Sequence, residues 1–90
     1  MNEMEFKYYV SYAKLVQPGD LPMKFEKVGK LLKKYKMELV FWGHPFGTAE
    51  GIIYLMKGDV KDYENAMMQN DLSEALGFIT DTRTHFVIAP

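Results

Sequence analysis

The chain has 90 residues, 48% of them hydrophobic and 14% aromatic, with a net charge of −1 and no cysteine. That length holds one domain, residues 1–90, and the apolar content argues for a packed globule rather than a disordered chain. Lack of cysteine excludes disulfides and thiolate metal sites, His44 and His85 are too few for an imidazole cage, and near-neutrality gives no pull toward nucleic acid or anionic membranes.

The polar, acidic start Met1-Asn2-Glu3-Met4-Glu5 is unlike the basic start of a secretory leader, and no apolar run approaches the roughly 20 residues that span a bilayer. A cytoplasmic location without membrane attachment is the expectation. Residues 6–16 are rich in aromatic and β-branched side chains and read as the first strand. Gln17-Pro18-Gly19-Asp20 is a turn, and Pro22 suits the first turn of a helix, where a missing N–H is no loss. Phe25, Val28, Leu32 and Tyr35 then recur at helical spacing, with Gly29 inside the pattern.

Residues 37–44 read as a second strand, broken at Pro45-Phe46-Gly47-Thr48, and residues 51–57 as a third. Asp59 is placed to cap a helix that buries Tyr63, Ala66 and Met67. Asn70-Asp71 interrupts that helix, and Asp71 with Glu74 resembles a capping box for a short turn carrying Leu72, Ala75 and Leu76. Gly77 stops the turn, and residues 82–89 form the last strand.

The order β-α-β-β-α-β is that of the ferredoxin-like α+β fold. Right-handed crossovers put the strands of its antiparallel sheet in the order 4-1-3-2, with the helices on one face. The other face should then alternate polar and apolar residues if it met water. It does not: Tyr8, Val10 and Tyr12 oppose Tyr9, Ala13 and Leu15, Ile53 and Leu55 oppose Ile52, Tyr54 and Met56, and Val40 and Trp42 oppose Met37, Leu39 and Phe41. Two apolar faces on so thin a core predict a partner, most simply a second copy of this chain in a homodimer or a higher even-numbered oligomer.

The element order, the two-faced sheet and the passage Gly51-Ile-Ile-Tyr-Leu-Met-Lys-Gly-Asp-Val-Lys-Asp-Tyr resemble the dimeric α/β barrel superfamily. Its members often carry a glycine-led third strand, an acidic cap and an aromatic residue in the second helix, places taken here by Gly51, Asp59, Asp62 and Tyr63. The resemblance implies two sheets packed face to face around a pocket in each subunit. That superfamily includes cofactor-independent monooxygenases, muconolactone-isomerase-like enzymes, haem enzymes and ligand domains of transcriptional regulators. It therefore selects no single activity.

Three readings stay open: a homodimeric barrel binding a small apolar or aromatic ligand in a lumen pocket, a cofactor-independent oxygenase or isomerase, and a purely structural or regulatory association module. The expected ligand-binding residues are Tyr12, Trp42, His44, Tyr54, Arg83 and His85. Topology gathers Tyr12, His44, Glu50, Arg83 and His85 at one end of the sheet. His44 is the candidate general base, against its plainer reading as a loop-edge hydrogen bonder. His44 and His85, on opposite edge strands about 14 Å apart, are too distant to share a metal within one chain, so neither metal nor cofactor is expected. Lysines 24, 27, 30, 33, 34 and 36 lie on or just after the first helix, and the acidic neighbouring second helix would cancel their field, so nucleic acid is not expected as a partner.

Overall fold

The computed structural model describes residues 6–17 and 19–88, Phe6 by its backbone alone. Residues 1–5, Pro18 of the first turn and Ala89 of the last strand lie outside the described residues. The elements run β1 (Phe6–Leu15), α1 (Leu21–Lys34), β2 (Glu38–Gly43), β3 (Ile52–Lys57), α2 (Val60–Met67), α3 (Asn70–Ala75) and β4 (Ile79–Ile88). The four strands form one antiparallel sheet in the order β2-β3-β1-β4, the α+β arrangement expected from the sequence.

Helix α1 starts where Asp20 accepts a hydrogen bond from the Met23 amide at 3.1 Å, one of the amides that a helix start leaves without a partner. Its stripe of Phe25, Val28 and Leu32 is buried against the sheet. Gly29 of α1 faces Leu39 of β2, and a Cβ there would make only an ordinary contact with it, 3.7 Å from its Cβ. Across the sheet, Tyr9, Ile52, Tyr54 and Met56 complete a core that also takes Ala66 of α2 and Leu72 of α3. All three helices thus cover one sheet face, called here the helix side.

Two capping expectations are corrected. Asp59 stands at the start of α2 in extended conformation, but its side chain makes no capping bond, and only its backbone carbonyl accepts from the Tyr63 amide. Asp71 lies inside the first turn of α3, behind Gln69 at the cap, so it forms no capping box with Glu74. Its carboxylate instead accepts from the Tyr35 hydroxyl at 2.8 Å, Lys34 at 3.0 Å and its neighbour's amide, Leu72 N, at 2.8 Å. Asp71 therefore ties α3 to the end of α1. The Tyr35 hydrogen bond, reinforced by Lys34, holds its carboxyl below the ordinary aspartate range.

The expected faces hold for β1 and β3 and fail in β2. Leu39 lies opposite Met56 and Trp42 opposite Tyr54, so Val40 is an extra residue in a bulge. The bulge returns Trp42 to the helix side with Leu39, while Phe41 lies opposite Leu55 on the other face. Three residues apart on a regular strand, Leu39 and Trp42 would have faced opposite ways.

Candidate functional site

The sheet face away from the helices carries Tyr8, Val10, Tyr12, Phe41, Ile53, Leu55 and Val87, placed together by the pairings Val10↔Leu55, Phe41↔Leu55 and Tyr8↔Val87. No described element covers it. Phe41 is 51% exposed and Val87 41%. Contiguous apolar surface of this kind is uncommon on a monomer and marks a binding or association surface.

A polar cluster sits at one end of this open face, and strand geometry assembles it. Arg83 lies directly opposite Tyr12, and His85 two residues further along β4 shares its face. The Arg83 guanidinium lies 4.4 Å from the Tyr12 ring centroid, a cation–π contact. Its Nε donates to Glu50 at 2.8 Å, the carboxylate reaching across β1 from the residues ahead of β3. Its NH1 lies 2.7 Å from His85 Nε2. Since a guanidinium only donates, that contact requires a lone pair on Nε2 and places the imidazole proton on Nδ1.

These charges answer one another. The hydrogen bond from Arg83 holds the Glu50 carboxyl below the ordinary glutamate range, and Glu50 in turn raises the Arg83 guanidinium. The Glu50 side chain is only 15% exposed beneath its partner, so the pair presents a guanidinium edge rather than two free charges. Such an edge suits a hydrogen-bond acceptor. Because Glu50 already neutralises it, it has little surplus charge for a second carboxylate.

The six expected ligand residues fall into two groups. Tyr12, Arg83 and His85 converge on the open face. Trp42 and Tyr54 lie on the helix side: Trp42 stacks on Phe25 with centroids 4.7 Å apart and planes 12° from parallel, and Tyr54 is 3% exposed beside the same ring. His44 is at the exposed end of β2, where Nδ1 meets the Gly51 carbonyl at 3.0 Å and closes the β2–β3 loop. Its ring is 6.1 Å from Trp42, edge to face. This is the loop-edge hydrogen bonder. It makes no contact with Arg83 or His85. Among the described residues, no group of three His, Asp or Glu side chains is placed to hold a metal.

Sequence reasoning passed over a row of hydroxyls on the helix side. Ser11, wholly buried in mid-strand, shares a 2.8 Å hydrogen bond with Thr84. Ser11 stands opposite Tyr54 across β1 and β3, with Thr82 also near the Tyr54 phenol and Thr84 near that of Tyr63. Burial outweighs these contacts and raises both phenols above the ordinary tyrosine value. The available signal was Ser11 in the middle of an apolar strand and the pair Thr82 and Thr84, two places apart on a strand whose inward face should have been apolar.

The chain matches no protein-family model and no curated protein. It is similar in structure to RPA0582, a protein of unknown function from Rhodopseudomonas palustris, with a TM-score of 0.65 at 10% identity over 98% of this chain and 85% of that one. The methylated form of RPA0582 matches with a TM-score of 0.59 at 9% identity, covering 98% and 83% of the two chains. The hypothetical protein MJ1052 from Methanocaldococcus jannascii gives 0.43 at 15% identity, covering 93% and 80%. At these identities the likeness to RPA0582 shows a shared fold and nothing further.

Proposed function

We propose that the protein works as a homodimer joined through its open sheet faces, in the manner of a dimeric α/β barrel. It binds a small, largely apolar or aromatic molecule between the sheets, with the ligand's polar end at Tyr12, Arg83 and His85. The observation that carries this reading is the open face itself: seven apolar or aromatic side chains from all four strands, with a neutralised polar cluster at one end. Burying a single Val, Leu, Ile or Phe side chain is worth about 1.5–3 kcal/mol, so two such faces gain substantially by meeting.

The cluster favours recognition over proton transfer. His85 Nε2 is already engaged by Arg83, so taking a proton there would first break a 2.7 Å hydrogen bond and set two cations side by side. The guanidinium edge and the Tyr12 hydroxyl supply directional polar contacts beside an apolar surface, the usual composition of a small-molecule site.

Native mass spectrometry of protein purified without denaturation tests both parts. The expected species is a dimer carrying a non-covalent small molecule, and an Arg83→Ala dimer that has lost it. An empty dimer for both proteins refutes the ligand, and a monomer refutes the barrel.

A further inference from the structure

On the helix side, a cavity of about 300 Å3 opens between α2, α3 and β4. Met67, Leu72, Leu76 and Ile79 wall it, Tyr54 and Thr82 form part of its floor, and none of its lining residues is charged. Its volume is at the small end of the range for ligand pockets. The gap has a cause in the packing: Asp71 draws α3 toward α1, while α2 is held at the far end of the sheet by Tyr63 stacked on Tyr9 at 4.1 Å.

Two independent features mark the floor. The first is a bulge in β4, where Tyr12 pairs with Arg83 but Lys14 with Thr80, so that Asp81 and Thr82 together oppose Ala13. Asp81 takes a φ of 53°, a left-handed conformation unfavourable for most residues with a side chain, and Lys14 pairs with it at 3.6 Å. The bulge brings Ile79 and Thr82, three residues apart, into one cavity lining, whereas a regular strand would send them to opposite faces. The second is the pair of hydroxyls, of Tyr54 and Thr82, that line it.

We propose that this cavity binds a small neutral molecule with an apolar body and one hydroxyl or carbonyl group, hydrogen-bonded to Thr82 and Tyr54. The uncharged lining selects against ions, which would lose hydration with no partner in return. The hydroxyl floor selects against pure hydrocarbons, which would leave its donors and acceptors unanswered. The cavity and the open face lie on opposite sides of the sheet, so this site stands apart from the dimer and its ligand.

Three probes of one shape separate these chemistries: phenol, toluene and benzoate, titrated into isotopically labelled protein and followed by amide chemical shifts. Phenol is expected to shift the amides of Ser73, Gly77 and Thr82 saturably, toluene about tenfold more weakly, and benzoate not at all. Thr82→Val, an exposed change whose amide spectrum reports its own folding, should bring phenol down to the level of toluene. The proposal is overturned if phenol shifts are non-saturable or lie elsewhere, or if benzoate binds as well as phenol. It is equally overturned if folded Thr82→Val keeps the wild-type preference. Sedimentation of the same samples reports the dimer separately.

Discussion

Ser11→Ala removes one oxygen from the centre of the helix-side face. Ser11 is wholly buried, and its hydroxyl is bonded to Thr84 at 2.8 Å. The volume lost is small, so the cavity contribution is minor. The main cost is that the Thr84 hydroxyl loses its partner inside the protein. A buried polar group left unsatisfied costs about 1–3 kcal/mol, whereas removing both partners of a hydrogen bond together is nearly neutral. Ser11→Ala should therefore destabilise by about 1–2 kcal/mol. Adding Thr84→Val should cost less than the sum of the single changes, with a coupling of about 0.5–1.5 kcal/mol. At roughly 4–8 °C per kcal/mol for a domain of this size, the single change should lower Tm by about 4–16 °C. Urea unfolding followed by Trp42 emission at one fixed protein concentration reads this as a shift in midpoint at constant slope. Equal or greater stability of Ser11→Ala, or strict additivity of the pair, would refute the hydroxyl network.

Phe25→Ala should cost about 3–5 kcal/mol, because that wholly buried ring touches Trp42, Tyr54 and Phe78, and the folded protein's Trp42 emission should shift to the red. Asp20→Ala should cost about 1 kcal/mol by freeing the Met23 amide, while Asp59→Ala, which breaks no side-chain cap, should cost clearly less; matched thermal melts compare them. The lowered carboxyl of Asp71 stabilises the folded chain above its unfolded titration range, near pH 4, and loses that effect as pH falls through the still lower folded value. Wild type should therefore melt higher than Asp71→Asn at neutral pH and converge with it in acid. A difference that is constant from pH 7 to pH 3 refutes the assignment.

The element order, the strand order and the two faces of β1 and β3 were legible because they depend on local patterns: aromatic and β-branched runs in 6–16 and 51–57, the period of two that assigns strand faces, and a helical stripe through Phe25, Val28 and Leu32. Trp42 was misplaced for a physical reason. The bulge at Val40 is a property of how β2 pairs with Met56 and Leu55, and one inserted residue reverses every later side chain without changing local composition. Asp71 was similarly hidden. Its position before Leu72 and Glu74 looks like a cap, and only the fold brings Tyr35 and Lys34 from α1 to its carboxylate. Tyr12, Arg83 and His85 could be grouped from topology alone, since antiparallel pairing fixes which strand ends meet. Separating them from Trp42 and Tyr54 required the register.

Sedimentation velocity at micromolar concentration, comparing wild type with Leu55→Lys, tests the proposed association most directly. Leu55 lies between Val10 and Phe41 in the middle of the open face, so a lysine there sets a charge against its counterpart in a face-to-face dimer. The account predicts a wild-type species of twice the 10.4 kDa chain mass and a folded Leu55→Lys species of single chain mass. Wild type sedimenting as a single chain, or Leu55→Lys remaining as dimeric as wild type, would contradict it.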